Sequence, residues 1–573
     1  MEGQFYCDEA RASATILPED EAALLCASIG KNGAPRIRAL LDALGPKVST
    51  SGRYQLGYTL NLPVFRFFKK VEGQWVFDHD YLSQALSTIG DIDRPVVIFL
   101  SSDHFAITND ALTADLVADT RNLMSTRAGP MLPRAYFTNP IVAWTLSDQR
   151  APVNVLRTEA FNATRDAICR LPQASQAKIA AVSVLGETHD MFPDFERGPG
   201  YGIPLHEGTD YSLVAVNGFR VWLSQKYGSI ARLNSDLASS FSSFEAINPP
   251  SKDIHTELLS NYFDHIDIAA AGTLPIYGWI GDRRGRNLKV SVYLDGKLAG
   301  VARTGLSRTD VSAVYPSLAN PNIGFHLDLN YRDIAYGFHT LEVFVTVGNQ
   351  APLRLAKQRL LIGDRTQGPA PEIPYLPVDA QPIGTDPDLI GRLDAPAPSQ
   401  SVYYNPMAEL WLLFRNEVVR AYVTRYAQLM VPSCIPSSKL FSHQLAPTLY
   451  GGWNRDLLAS DASQLPNEAY QPGTTLYGGA AFGDAFLDMK QELGWTRYAV
   501  GEMHPIVALT PEQYFAMFEM HRTSGAVYVA PYYMSTLRSE SLSGTLSDFL
   551  ISPVNQRNAS DRYYRAIQNL MSR

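Results

Sequence analysis

Ile179-Ala-Ala-Val-Ser-Val-Leu-Gly-Glu187 is an apolar run that closes on Gly-Glu, and Arg497-Tyr-Ala-Val-Gly-Glu502 repeats that ending more than 300 residues later. Unbroken runs of small and β-branched residues are typical of buried parallel strands. In a (β/α) barrel, the C-terminal ends of the parallel strands carry the active site. The two runs therefore predict a barrel that presents Glu187 and Glu502 at the same edge.

Two carboxyl groups at such an edge could flank a glycosidic bond. One would be protonated and donate to the leaving oxygen, while the other would be ionised and attack the anomeric carbon, at a separation of roughly 5 to 5.5 Å. A single glutamate at a strand end is more often a solvated charge. Because both Glu187 and Glu502 follow glycine at the end of a predicted strand, a shared catalytic site is the favoured interpretation.

The composition is that of a packed globular protein with more than one folded body. The 573 residues exceed one ordinary domain, so we expect a catalytic body and at least one added module. The net charge of −8, without a sustained Lys/Arg block, argues against binding to nucleic acid or to an anionic membrane. No stretch approaches the roughly 20 apolar residues of a membrane span, so membrane insertion is not expected.

The four cysteines bear on the compartment. Cys7, Cys26, Cys169 and Cys434 are too scattered for a zinc cluster. Cys7 and Cys26 could form one disulfide in an oxidising compartment, and buried free thiols are the other interpretation. The start of the chain lacks a signal peptide, but a chain with its signal removed would look the same. We expect a periplasmic or secreted protein, and the cytoplasm stays open.

Strand and helix patterns alternate in two halves of the chain. Predicted strands begin near residues 54, 94, 141 and 179 in the first half, and near residues 439, 474, 497 and 526 in the second. Helical spacing of apolar residues occurs at 159–170, 214–240, 405–430, 484–493 and 511–523. Eight strands in two halves predict a (β/α)8 TIM barrel, with Glu187 on the fourth strand and Glu502 on the seventh.

A segment of different character separates the two halves. From about Ala269 to Gly363 the apolar period is two, with Leu294-Asp-Gly-Lys as a tight hairpin turn, which predicts an inserted antiparallel β-sandwich. A Pro-rich stretch follows and favours an extended tether. The predicted organisation is 1–45 as an N-terminal helical segment, 46–268 as the first part of the barrel, 269–366 as the sandwich, 367–400 as a Pro-rich linker and 401–573 as the second part of the barrel.

Two local sequences resemble known carbohydrate-related proteins. Gly278-Trp-Ile together with Gly305-Leu-Ser-Arg-Thr-Asp-Val resembles a sandwich module of bacterial carbohydrate-related proteins. Phe219-Arg220, Lys226-Tyr-Gly-Ser229 and Leu233-Asn234 resemble the segment after the fourth strand in family 42 β-galactosidases. In that family, and in the wider clan of retaining (β/α)8 glycosidases, the acid/base glutamate ends strand four and the nucleophile ends strand seven.

The resemblance implies a retaining glycoside hydrolase that cleaves a β-linked oligo- or polysaccharide. Glu187 would be the acid/base and Glu502 the nucleophile. The clan normally places asparagine before the acid/base, and this chain has Gly186 there. That departure keeps two alternatives open: a non-catalytic carbohydrate-binding or exopolysaccharide-assembly protein on the same fold, and a transglycosidase that passes the same intermediate to a sugar.

Other residues near predicted strand ends are candidate contacts for the sugar. The predicted substrate-binding residues are Asp103, His104, Asp148, His189, His443, Gln444, Trp453, Tyr477, His504 and Tyr532. Aromatic residues are more often part of a core. Trp453 is the preferred stacking residue, because it lies in the loop Tyr450-Gly-Gly-Trp-Asn.

Neither a cofactor nor a metal ion is expected from the motifs. The sequence has no His-Glu-x-x-His, no Cys-x-x-Cys and no Gly-rich phosphate loop with Lys-Ser/Thr. Gly-Gly-Ala-Ala-Phe-Gly at 478–483 is superficially similar to a dinucleotide loop, but it lacks the spacing and the later acidic residue. Carbohydrate is the expected partner, and the oligomeric state is left open.

Overall fold

A parallel barrel forms the body of the protein. The computed structural model describes residues 4–5, 7, 19–102, 104–105, 109–136, 139–318, 320–369, 381–384, 386–431, 434–535 and 548–573. The barrel strands are β1 (Tyr58–Asn61), β2 (Val96–Ser101), β3 (Ile179–Glu187), β4 (Leu440–Leu445), β5 (Gly473–Tyr477), β6 (Tyr498–His504) and β7 (Ala526–Pro531). Each strand pairs in parallel with the next. The predicted TIM-barrel class with an inserted sandwich is confirmed.

The described ranges contain seven barrel strands, one fewer than the pattern predicts, so Glu187 and Glu502 lie on the third and sixth of them instead of the fourth and seventh. β2 and β3 pair directly, with Val97 opposite Ala181, so no strand lies between them. Of the predicted third strand, near residues 141–148, Ile141 ends the hairpin strand Asn139–Ile141, and the rest is irregular and buried as far as Leu146. The Asn154 side-chain amide donates to the carbonyls of Thr145 and Asp148, which gives these backbone groups the partners that a strand would otherwise need.

The sheet does not close completely. Among the described strands, β1 and β7 are the two ends of the sheet order, and every residue of β7 is half-buried. The helices Ala34–Leu44 and Ser560–Ser572 contact each other beside this gap, where the Gln568 amide donates to the Ala43 carbonyl at 2.8 Å. The barrel interior therefore has a side opening that helices partly cover.

Helices alternate with the barrel strands, as the apolar spacing predicts. The α-helices in the described part of the chain are Glu19–Ser28, Ala34–Leu44, His79–Asp91, Asp110–Ala118, Pro152–Arg170, Gln173–Gln176, Leu213–Tyr227, Ile230–Leu237, Thr309–Val314, Pro406–Met430, Arg455–Leu458, Asp484–Glu492, Pro511–Thr523 and Ser560–Ser572. Short two-stranded hairpins pair Phe68–Val71 with Gln74–Phe77, Ser125–Thr126 with Gly129–Pro130, and Arg134–Tyr136 with Asn139–Ile141. None of the helices in the described ranges combines the length and apolar character that crossing a bilayer requires.

All four cysteines are paired. The Cys7–Cys26 disulfide confirms the predicted bridge, and the alternative of free thiols is wrong. The second disulfide joins Cys169 to Cys434, which are 265 residues apart. It ties the end of helix Pro152–Arg170 to the segment after helix Pro406–Met430, so the two halves of the barrel are covalently linked across the insertion.

The insertion is a nine-stranded sandwich with its own core, antiparallel except that its last strand pairs in parallel with Leu353–Gly363. Its strands are Thr273–Asp282, Leu288–Leu294, Lys297–Leu306, Gly324–Asn330, Gly337–Val347, Leu353–Gly363, Gln381–Ile383, Asp386–Ala395 and Gln400–Tyr403. Lys297–Leu306 pairs with strands on both sides and carries the sheet from one layer to the other around a bulge. The last three strands lie within or at the end of the range predicted as a linker, so the sandwich extends further than predicted. The backbone groups of these three strands pair with the other strands of the sandwich. The high proline content of this range did not predict that pairing.

Candidate active site

β3 and β6 bring the two predicted carboxylates together. Glu187 is the last residue of β3, and Glu502 lies near the C-terminal end of β6. A carboxylate oxygen of each and a ring nitrogen of His443 all lie within 4.8 Å of one another. Two glutamates more than 300 residues apart therefore share one site because the curved sheet turns the ends of their strands toward each other.

A bulge at the end of β3 aims Glu187. Ser183 lies opposite Phe441 and Glu187 lies opposite His443, so β3 has two extra residues over this interval. Leu185 has φ 71° and Gly186 has φ 114°. The second value lies where side chains with a Cβ are strained, which requires glycine before the glutamate. An asparagine at position 186, as in the clan, would not fit this backbone.

Tyr477 donates a hydrogen bond to Glu502. Its hydroxyl lies 2.5 Å from Oε2. Burial raises the pKa of Glu502 above the usual value for a carboxylic acid, and the hydrogen bond from Tyr477 acts in the opposite direction. Burial and the charge of Glu502 raise the pKa of Tyr477 well above its usual value, so the phenol stays protonated and remains a donor.

Replacing Tyr477 by phenylalanine should move the pH profile of turnover. The lost hydrogen bond favoured the ionised form of Glu502, so the pKa of Glu502 rises further and a smaller fraction is ionised at low pH. We expect the acidic limb of kcat/KM to move to higher pH. The plateau should fall by about 10- to 100-fold, the value of one hydrogen bond to a charged group. An unchanged limb, measured on a folded variant, would contradict the role given to Tyr477.

His443 is a neutral neighbour of the carboxylates. Burial lowers its pKa to about 4, so the imidazole carries no charge at neutral pH. Nε2 lies 3.0 Å from the Thr475 hydroxyl and 3.8 Å from Oε1 of Glu502. The ring packs against Phe99 at a centroid distance of 4.8 Å. Together with Glu187 and Glu502, this imidazole could also hold a divalent cation, since all three offer ligand atoms.

A second group of possible metal ligands lies outside this site. Asp253, His265 and Asp267 bring ligand atoms within 4.8 Å of one another. However, Nδ1 of His265 accepts the backbone N–H of Ile254 at 3.2 Å. The proton of the neutral imidazole is therefore on Nε2, the nitrogen 3.6 Å from Asp267. That nitrogen has no lone pair to offer, so the group is better suited to structural pairing.

The carboxylates open into a cavity of about 1140 Å³ with aromatic walls. Trp453 stacks on Tyr450 at a centroid distance of 4.0 Å and an interplanar angle of 15°. Tyr532 meets Tyr477 edge-on at 5.5 Å. Flat apolar rings beside polar groups suit the faces and hydroxyls of a pyranose.

The same cavity continues into the gap in the barrel. Residues 57–59 of the β1 edge and residues 526–529 of the β7 edge line it, together with Leu44 and Met571 from the covering helices. The volume near the carboxylates is therefore only part of the total. The side opening makes this cavity larger than a single sugar requires.

Most of the predicted site residues line this cavity. Those on its wall are Glu187, Glu502, His189, His443, Trp453, Tyr477 and Tyr532. His189 is buried, and its Nδ1–H donates to the Asp190 carbonyl at 2.7 Å. Burial lowers the pKa of His189 to about 4, so it faces the cavity as a neutral ring.

Four other predicted contacts lie away from the cavity wall. His104 is buried beside His189, with ring centroids 5.3 Å apart. Asp148 accepts the N–H of Arg150 at 2.9 Å, which is a local turn. The Gln444 amide donates to the Thr188 carbonyl at 2.7 Å, and His504 accepts the N–H of Ile506 at 2.9 Å. Asp148, Gln444 and His504 thus bond to the backbone of neighbouring loops, and Asp103 lies outside the described residues.

Several cavity residues were not predicted from the sequence. Asn61 and Ser101 end β1 and β2, and the Ser101 hydroxyl donates to Oδ1 of Asn61 at 2.6 Å. Both are polar residues that close apolar strands, so a signal was present. Gln4 exchanges hydrogen bonds with the Asn61 backbone, and Thr309 comes from the sandwich. Neither of these has a local sequence signal, because each reaches the cavity through tertiary packing.

Comparison with known proteins finds similar solved structures but no protein with a matching sequence. No protein-family model matches the chain, and no curated protein matches it significantly. Among solved structures, a β-galactosidase from the Antarctic haloarchaeon Halorubrum lacusprofundi is 12% identical and aligns over 94% of this chain with a TM-score of 0.45; the chain spans 55% of that protein. The catalytic domain of a β-amylase from Paenibacillus polymyxa is 10% identical, with 87% of this chain and 88% of that chain covered and a TM-score of 0.42. An exo-β-agarase is 10% identical over 85% of this chain and 43% of its own, with a TM-score of 0.34.

Proposed function

We propose that this protein is a retaining glycoside hydrolase that cleaves a β-linked oligo- or polysaccharide. The observation that carries the proposal is the pair of carboxylates in an aromatic cavity, with one oxygen of Glu187 within 4.8 Å of one oxygen of Glu502. Retaining enzymes hold their two carboxyl groups about 5 to 5.5 Å apart, whereas inverting enzymes leave about 6.5 to 9.5 Å for a water molecule. The close spacing supports attack on the sugar by one carboxylate rather than by a water between them.

In this proposal Glu502 is the nucleophile. The Tyr477 hydroxyl stabilises its ionised form from one side, and the neutral imidazole of His443 lies 3.8 Å from its other oxygen. Oε1 of Glu502 is then the oxygen that attacks the anomeric carbon, since Oε2 is held by Tyr477.

Glu187 is the acid/base in the same proposal. In this proposal Glu187 carries the proton, because the hydrogen bond from Tyr477 favours the ionised form of Glu502. Glu187 then donates its proton to the leaving oxygen as the glycosyl ester forms on Glu502. In the second step it removes a proton from the incoming water, so the ester breaks and the anomeric configuration is retained.

The walls support carbohydrate as the ligand. The Tyr450–Trp453 pair offers a flat face for a sugar ring, and the Asn61–Ser101 pair offers an amide and a hydroxyl. We also propose a periplasmic or extracellular location, because both disulfides are of the kind that persist in oxidising compartments.

The test is the stereochemistry of the first product. Aryl β-glycosides and bacterial polysaccharides would be screened for turnover, and the anomer released first would be read by NMR. We expect the β-anomer, and a 2-deoxy-2-fluoro glycoside with a good leaving group should release its aglycone and add the mass of its glycosyl residue to the peptide that contains Glu502. An α-anomer as the first product would contradict retention. Loss of activity in a chelator would instead favour a cation bound at Glu187, His443 and Glu502.

A further inference from the structure

We propose that the β-sandwich is a positioning element of the catalytic site, which holds the loops after β4 and β5 so that Tyr477 keeps its hydrogen bond to Glu502. This rests on the proposed glycosidase function. The sandwich is therefore more than an appended module. Two independent sets of contacts join it to the barrel beside the carboxylates.

The first set holds the loop after β4. The Ser307 N–H donates to the Leu449 carbonyl at 2.8 Å, and the Gly451 N–H donates to the Ser307 carbonyl at 3.2 Å. Ser307 and Tyr450 thereby form a parallel bridge between the sandwich and the loop. The backbone of the sandwich thus fixes Tyr450, the residue that stacks with Trp453 on the cavity wall.

Arg308 makes this attachment rigid on the sandwich side. Its guanidinium donates to Asp394 at 2.6 Å and to Asp310 at 2.9 Å. A Cβ added to Gly451 would lie 3.3 Å from Cδ of Arg308, so the loop packs closely on the stem of this arginine. A side chain held by two carboxylates is a firm support for the loop.

The second set holds the loop after β5. The Asn322 side-chain amide donates to the Phe482 carbonyl at 3.0 Å. A Cβ added to Gly479 would lie 1.7 Å from Oδ1 of Asn322, and one added to Gly478 would lie 2.4 Å from Cγ2 of Thr309. The glycines at 478–483, which resembled a dinucleotide loop, thus allow the close approach of the sandwich.

Both loops meet at Tyr477. Its N–H donates to the Tyr450 hydroxyl at 3.0 Å, and its own hydroxyl donates to Glu502 at 2.5 Å. Gly478 follows it directly. The sandwich therefore holds Tyr477 from both sides: through Ser307 and Tyr450, and through the contact of Thr309 and Asn322 with the glycines.

Small displacements at this point have large chemical consequences. A hydrogen bond at 2.5 Å loses most of its strength when the donor moves by an ångström, and catalytic groups require similar accuracy. Thr309 also lines the cavity, so the sandwich reaches the space that a substrate would occupy. Thr309 therefore contributes both to the position of the loop after β5 and to the cavity wall.

The test compares a variant that creates a steric clash with Asn322 and a double variant that removes the clash. Gly479→Ala places a methyl group where Oδ1 of Asn322 lies, and the Gly479 backbone is not left-handed, so alanine itself is allowed there. We expect kcat/KM to fall by about 10-fold or more and its acidic limb to move to higher pH, as for Tyr477→Phe. The double variant Gly479→Ala/Asn322→Ala removes the overlapping atoms and should return both values to those of Asn322→Ala alone.

A matched control separates this effect from a general cost of alanine. Gly90→Ala lies in helix His79–Asp91, where the added Cβ would be 3.7 Å from the Ser175 hydroxyl, and it should keep parental kinetics. Parental rate and pH profile in folded Gly479→Ala would overturn the proposal, as would a folded double variant without recovery. If Gly479→Ala does not fold, Gly451→Ala decides, because its Cβ would lie 3.3 Å from Cδ of Arg308 and crowd the loop after β4: an upward shift of the acidic limb supports the proposal, and a parental limb overturns it.

A crystallographic distance keeps this test apart from that of the proposed function. In Gly479→Ala, the Tyr477 hydroxyl should lie beyond about 3.5 Å from Glu502, and in the double variant it should return to hydrogen-bonding distance. This measurement needs no turnover. If the parent protein cleaves no glycoside, the proposed function fails, while the distance still supports or overturns the positioning role.

Discussion

Glu502→Gln should abolish turnover, with kcat/KM lower by on the order of 10,000-fold or more. The amide has the shape of the carboxylate and can still accept the Tyr477 hydroxyl, but it cannot form a glycosyl ester. The loss should therefore appear in kcat, with little change in substrate binding. Steady-state kinetics on the best aryl glycoside, with binding measured by calorimetry, would check both parts.

The same substitution should not weaken the fold. Burial raises the pKa of Glu502 in the folded protein, so this carboxyl stabilises the fold most when protonated, and that contribution is lost as pH rises through the raised pKa. Glutamine is neutral at every pH. The melting temperature of the variant relative to the parent should therefore increase from acidic to neutral pH.

Glu257→Gln is the matched control for Glu502→Gln. Glu257 pairs with Arg127 at 2.6 Å, and both side chains are about one-third exposed at 35% and 31%. A surface pair of this kind contributes little, about 0 to 1 kcal/mol, so rate and stability should be nearly parental. Substantial turnover by Glu502→Gln would remove Glu502 from the nucleophile position and with it the two-carboxylate mechanism.

The elements that could be predicted from the sequence are those whose signal is local. The runs that end at Glu187 and Glu502 are strands because their residues are buried on both faces. Helix Pro511–Thr523 has the predicted bounds, because Thr510 and Gln513 form a capping box and proline occupies its first turn. Local propensity and tertiary packing agree in these segments.

The elements that could not be predicted depend on contacts between distant residues. The run near residues 141–148 has the composition of a strand, yet Asn154 satisfies its carbonyls and β2 pairs with β3 instead. The Cys169–Cys434 disulfide follows from the packing of two helices that are far apart in the chain. Thr309 reaches the cavity only because the sandwich docks on the loops after β4 and β5.

Gly186 stands where the glycosidases that the sequence resembles have asparagine, and the backbone gives a physical reason for it. The missing asparagine left a non-catalytic role open at the level of sequence. The backbone at φ 114° and the bulge in β3 show that glycine is required to aim Glu187 toward Glu502. A polar contact can come from other strand ends, and Asn61 at the end of β1 places an amide on the cavity wall.

Glu187→Ala should slow cleavage in a way that depends on the leaving group. A glycoside with a poor leaving group needs the proton from Glu187, and its kcat/KM should fall by about 100- to 10,000-fold. A dinitrophenyl glycoside leaves without that proton, so formation of the ester on Glu502 should be nearly parental, and hydrolysis of the ester should become rate-limiting. A burst of dinitrophenol followed by slow turnover would show this change.

Azide should then rescue the variant, because the space left by the Glu187 side chain admits a small anion that needs no general base. We expect faster turnover of the dinitrophenyl glycoside with azide and a β-glycosyl azide as the product, since the anion attacks the ester from the face that Glu187 occupied. A matched Glu502→Ala variant should give an α-glycosyl azide, because azide would then replace the nucleophile. Equal losses on both substrates would show that Glu187 does not donate the proton. Opposite anomers of the azide products would show that the two glutamates have each other's role. The opposite pattern in the two variants is therefore a direct measure of which carboxylate attacks and which one donates.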